Sequence, residues 1–112
     1  MAVMDEAAVR VMTERIVETA QPRLVVLFGS RARGSARPDS DADFLVVEDQ
    51  AFGPQRSRFR ETARILRALA GFGIAKDVLV YSSDEIERWK DAKNHVIAHA
   101  LREGRILYDR RT

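Results

Sequence analysis

Asp41 and Asp43 are one residue apart, and if they open a strand their side chains project from the same face within a few ångströms of each other. Two carboxylates about 4 Å apart repel by roughly 4 kcal/mol at an effective dielectric near 20. That is enough to protonate one of them unless a cation is shared. The pair therefore implies a divalent metal. Asp77 is the natural third member, because it opens an otherwise apolar run from Val78 to Tyr81 where an unpaired carboxylate is costly. Three carboxylates converge if that run pairs beside the strand that begins at Ala42. Oxygen-only ligands favour magnesium, with manganese as the alternative.

The second chemical feature precedes the acids. An apolar stretch, Leu24 to Phe28, runs directly into Gly29-Ser30-Arg31-Ala32-Arg33-Gly34. Gly29 has no side chain, so a phosphate can approach its backbone, and Ser30 adds a hydroxyl beside the amides of a turn. Arg31, Arg33 and Arg37 flank this cradle and could offset charge on a leaving pyrophosphate, with no one of them singled out. The bland alternative is a Gly-Ser turn followed by a solvated acidic loop. Position speaks against it, since the glycines follow an expected strand and the aspartates begin another. Asp39, after Pro38, is read as shaping the loop rather than ligating.

The elements that must position these residues are legible from periodicity. Val9, Met12, Ile16 and Ala20 share one face of an amphipathic helix over Val3 to Ala20, which Pro22 ends. Leu24 to Phe28 and Ala42 to Val47 read as strands. Phe59, Ala63, Leu66 and Ala70 recur at helical spacing and predict a helix from Pro54 to Ala70, closed by Gly71. A third strand is expected over Asp77 to Tyr81. Ser82 and Glu85 then form a capping box for a helix running towards Lys90. A last helix over Asn94 to Arg102, closed by Gly104, leads to a short strand at Ile106 to Tyr108. The expected class is α/β, a small mixed sheet covered by helices, in a single domain over residues 1–112.

Composition bounds the rest. With 112 residues there is room for one core, and with no cysteine any metal must be held by oxygen or nitrogen. No apolar run approaches a membrane span and the first residues lack the basic start of a signal peptide, so the expected compartment is the cytoplasm. The net charge of +2, from 16 arginines and 3 lysines against 17 carboxylates, permits nucleic acid as a partner but does not indicate it. Arg56, Arg60, Arg64 and Arg67 form a helical stripe read as a solvated face rather than a nucleic-acid or partner surface. His95, His99 and Glu103 have a spacing that could bind zinc, but one helix supplies few fixed ligands and a surface role is preferred.

Taken together, Gly29-Ser30 with Gly34, Asp41-x-Asp43 and Asp77 resemble the signature of the nucleotidyltransferase superfamily of polymerase-beta type. The short chain, Leu101-Arg102-Glu103-Gly104 and Leu107-Tyr108 look like the minimal nucleotidyltransferases, antitoxin partners of small helical HEPN toxins. The resemblance implies a polymerase-beta-type core in which Asp41, Asp43 and Asp77 are catalytic and hold the metals. Gly29, Ser30, Arg31 and Arg33 would bind the nucleotide. It further implies ATP as substrate and transfer of AMP to a hydroxyl of a HEPN-type toxin. The alternative is an antitoxin that inhibits by occlusion on a retained scaffold. A homo-oligomer is compatible with either.

Overall fold

The structure, a computed structural model, describes residues 6–29, 41–73 and 75–111. Its elements run α1 (Glu6–Ala20), β1 (Leu24–Phe28), β2 (Ala42–Glu48), α2 (Arg58–Ala68), β3 (Lys76–Ser82), α3 (Ser83–Trp89), α4 (Val96–Glu103) and β4 (Arg105–Asp109). The four strands form one sheet in the order β3-β2-β1-β4. β1 pairs antiparallel with both β2 and β4, whereas β2 and β3, joined through α2, are parallel. The sheet is mixed, and the α/β class expected from the pattern is the observed one.

Alternation along β2 decides which helices cover which face. Ala42, Phe44 and Val46 point into a core shared with Val9, Met12 and Ile16 of α1 and with Ile65 of α2. Leu45 and Val47 point the other way, against Ala100 of α4 and the partly buried Ile86 of α3. The sheet is thus sandwiched, with α1 and α2 on one side and α3 and α4 on the other. No helix among the described residues is long and apolar enough to cross a membrane.

Two expectations about α2 need correction. The helix starts at Arg58 rather than Pro54, because Ser57 in extended conformation accepts the amide of Arg60 through its side chain and so sets the N-terminus. Pro54 lies in the preceding turn, which Gly53 and Arg56 close by backbone bonding. The face is also rotated. Of the seam of Phe59, Ala63, Leu66 and Ala70, Leu66 packs against the core and Ala63 is half-buried, but Phe59 is 82% exposed, while Glu61, Ile65 and Leu69 are the buried residues. A carboxylate sits inward there because arginines neutralise it, as described below. Other boundaries differ by one or two residues. His95 caps α4 by accepting the Ile97 amide at Nδ1, so α4 begins at Val96. Ser82 caps α3, with the Glu85 carboxylate accepting the Ser82 amide at 2.9 Å as the capping box requires.

Candidate active site

The ends of three strands meet at one edge of the sheet. Phe28, the last residue of β1, stands opposite Asp43, and Asp43 in turn stands opposite Asp77 on the parallel ladder of β2 and β3. Facing residues in a ladder project from the same face, so Asp43 and Asp77 share the side of the sheet that carries Leu45 and Val47. Asp41, two residues before Asp43, lies just before the strand and is exposed. The structure therefore brings Asp41, Asp43 and Asp77 to one end of the sheet.

Gly29 completes this corner for a reason of sterics. Its φ is +76°, a region that side chains with a Cβ avoid, and a Cβ built there would lie 2.5 Å from Oδ2 of Asp43. Any larger residue would displace the carboxylate. The glycine is thus required twice, once by the chain turning out of β1 and once by the aspartate packed against it. Ser30, Arg31, Arg33, Gly34, Arg37 and Asp39, to which the sequence assigns parts of the cradle, lie outside the described residues.

Electrostatics at the corner follow from this placement. Burial pushes the Asp43 carboxyl above the usual carboxylate range, and the negative charges of Asp77 and then Asp41 push it further the same way. Among the described residues no three acidic or histidine side chains are drawn close enough to hold a metal ion, and none donates a hydrogen bond to the Asp43 carboxylate. The donor set is nonetheless all hard oxygen, it is anionic, and its members repel one another. That is the chemistry of a divalent-cation site. The zinc alternative on α4 is not supported. His95 spends Nδ1 on its cap and stacks on Trp89 at 4.7 Å, while His99 stands 3.6 Å from Glu103.

A second acidic cluster, which the sequence reading missed, sits at the opposite end of β2. Glu48 is only 4% exposed and faces α2, where Arg56 pairs with it and also approaches Glu61 at 3.6 Å. Arg64 holds Glu61 at 2.9 Å and donates to the carbonyl of Thr19 at 2.6 Å, tying α2 to α1. Burial, then the hydrogen bond and charge of Glu61, push Glu48 up to about 7 against the opposing pull of Arg56. Burial would raise Glu61 too, but its hydrogen bonds with Glu48 and Arg64 outweigh that and hold it low. Oε1 of Glu48 accepts from Arg56, while its Oε2 is buried with no hydrogen-bond partner among the described residues, in keeping with a carboxyl that is hard to ionise. The signal was present in the alternation of Ala42, Phe44 and Val46, which continues inward to Glu48.

Residues 12–112 match the family described as Polymerase beta, Nucleotidyltransferase, and the chain belongs to that family. Among relatives, it is 33% identical over 91 residues to the protein adenylyltransferase MntA of Aphanizomenon flos-aquae (strain 2012/KM1/D3), covering 78% of this chain and 57% of that protein. It thus spans little more than half the length of that relative. A solved structure of a protein proposed to be a minimal nucleotidyltransferase superposes with a TM-score of 0.59 at 30% identity, covering 91% of this chain and 95% of that one. A toxin-antitoxin structure with AMP-PNP superposes with a TM-score of 0.55 at 16% identity, over 89% of this chain and 73% of that one, which speaks to the fold.

Proposed function

We propose that this chain, acting as one domain, is a metal-dependent nucleotidyltransferase that moves AMP from ATP to a hydroxyl of a partner HEPN-type toxin in the cytoplasm, and so works as an antitoxin. The observation that carries this reading is the placement of Asp43 opposite Asp77, two residues from Asp41 and against a glycine where a Cβ would push the Asp43 carboxylate aside. Membership of the nucleotidyltransferase family and similarity to a protein adenylyltransferase support the reaction class.

Asp41, Asp43 and Asp77 would hold magnesium, or manganese, which when bound neutralises the triphosphate and the charge that develops on the leaving group. Gly29 leaves room for the phosphate chain to approach the backbone beside Asp43. Ser30, Arg31 and Arg33 would contact the phosphates. The acceptor oxygen attacks the α-phosphorus, the bond to the bridging oxygen of the β-phosphate breaks, and pyrophosphate leaves. The hydroxyl proton passes to a carboxylate of the cluster, with Asp77 assigned that role.

The test is incubation of the chain with ATP, magnesium and the product of the neighbouring gene, followed by intact mass measurement of that product. Transfer adds one or more AMP units that persist after the two proteins are separated. An unmodified partner that is inhibited in the complex and active again on separation would replace catalysis with occlusion.

A further inference from the structure

The outward side of α2 leaves one large apolar side chain uncovered. Phe59, Ala63, Leu66 and Ala70 recur at intervals of four, three and four, yet the core takes Ile65 and Leu69 with Leu66 packed against it, leaves Ala63 half-buried and leaves Phe59 82% exposed. A large aromatic ring held in solvent within the first turn of a well-capped helix contributes nothing to folding that a polar residue would not. Beside it lie Arg60 and Arg67. Among the described residues neither has an acidic partner, whereas Arg56, Arg58 and Arg64 of the same segment each hold a carboxylate.

We propose that the outward face of α2, Phe59 and Ala63 edged by Arg60 and Arg67, docks an amphipathic helix of the acceptor protein whose apolar residues are flanked by carboxylates. The proposal rests on the reading above that the acceptor is a protein. Apolar anchors at helical spacing are what helix-on-helix recognition uses, and the uncommitted guanidinium groups fix the sign of the partner. A second copy of this chain is disfavoured, since two α2 helices packed antiparallel about Ala63 would set Arg60 against Arg67 of the other copy. A nucleic acid is disfavoured as well, because Arg56 and Arg64 are already neutralised by Glu48 and Glu61 and the phosphate backbone has no use for the seam.

Calorimetry with the neighbouring gene's product tests this with Phe59→Ser, the double variant R60E/R67E, and R10E as a charge-matched control on α1. All four residues are exposed, so melting temperatures should match the wild type. Phe59→Ser is expected to weaken binding roughly tenfold and R60E/R67E about a hundredfold, with R10E binding as wild type. Lysine in place of a partner carboxylate should restore affinity to the double variant. Unchanged affinity and transfer in Phe59→Ser and R60E/R67E would overturn the docking face and leave the transferase reading intact. A wild-type chain that neither binds nor modifies the partner would overturn both. Equal loss in R10E, or Phe59-dependent self-association or binding of a thymidine 20-mer, would also overturn the proposal.

Discussion

β2 carries acids at both ends, and the two ends handle the same repulsion differently. At its C-terminal end Glu48 faces Glu61 on α2, and the fold answers the conflict internally, with Arg56 on Glu48, Arg64 on Glu61 and the Glu48 carboxyl pushed up to about 7. At its N-terminal end Asp43 faces Asp77 with Asp41 close by, and no described residue donates to Asp43. Protein interiors do not leave clustered charge unbalanced without cause, because each uncompensated pair costs several kcal/mol. One cluster is therefore built to hold α2 on the sheet. The other has no side-chain donor to Asp43 among the described residues, and on the proposed function its balance comes from a metal held together with a triphosphate.

The sharpest way to break this contrast is to remove charge from the open cluster. Asp41→Asn and Asp43→Asn keep the side-chain shape, so the fold should persist by circular dichroism while nucleotide transfer falls about 10²–10⁴-fold. Either variant retaining wild-type transfer at saturating magnesium would remove that aspartate from the site. Gly29→Ala comes next. It forces a Cβ into the left-handed region and against Oδ2 of Asp43, and should cost about 1–2 kcal/mol of stability with at least a tenfold loss of transfer. A melting temperature and rate both equal to wild type would show that the corner tolerates a side chain.

The smallest effect belongs to the closed cluster. Glu48 has a folded value of about 7 against an ordinary value of 4.5, so between these pH values the folded state binds more protons than the unfolded one. Its contribution is favourable below about 4.5 and is lost as pH rises through about 7, so stability should decline over that window. Glu48→Gln can still accept from Arg56 but no longer titrates, and should flatten the decline by on the order of 1–2 kcal/mol. Denaturant melts at pH 5 and pH 8 measure it. A wild-type profile that rises across the window would contradict the raised Glu48 carboxyl.

How far these clusters were legible in the sequence differs for a physical reason. Asp41, Asp43 and Asp77 stand out because alternation puts acids where an apolar face should begin, and the Gly29 turn follows an apolar run that could only be a buried strand. The ladder pairing of Asp43 with Asp77 required only that β3 lie beside β2. α2 was misjudged because counting apolar residues selects Phe59, Ala63, Leu66 and Ala70. The side that faces the core carries Glu61, acceptable there only because Glu48, Arg56 and Arg64 surround it. Arg64 follows Glu61 by three residues on the same helix, but Glu48 and Arg56 lie outside it, and periodicity within one helix cannot register them. The start of α2 failed for a similar reason, since Ser57 and Pro54 both suit a first turn and the bond to Arg60 decides between them.

On the proposed function, the Asp41, Asp43 and Asp77 corner takes up a cation and a triphosphate together. Calorimetric titration of ATP into the wild-type chain and into Asp43→Asn, each with magnesium and with a chelator, tests it most directly. ATP should bind the wild type only when magnesium is present, and Asp43→Asn should lose most of that magnesium-dependent binding. ATP binding of equal strength in all four titrations would contradict it.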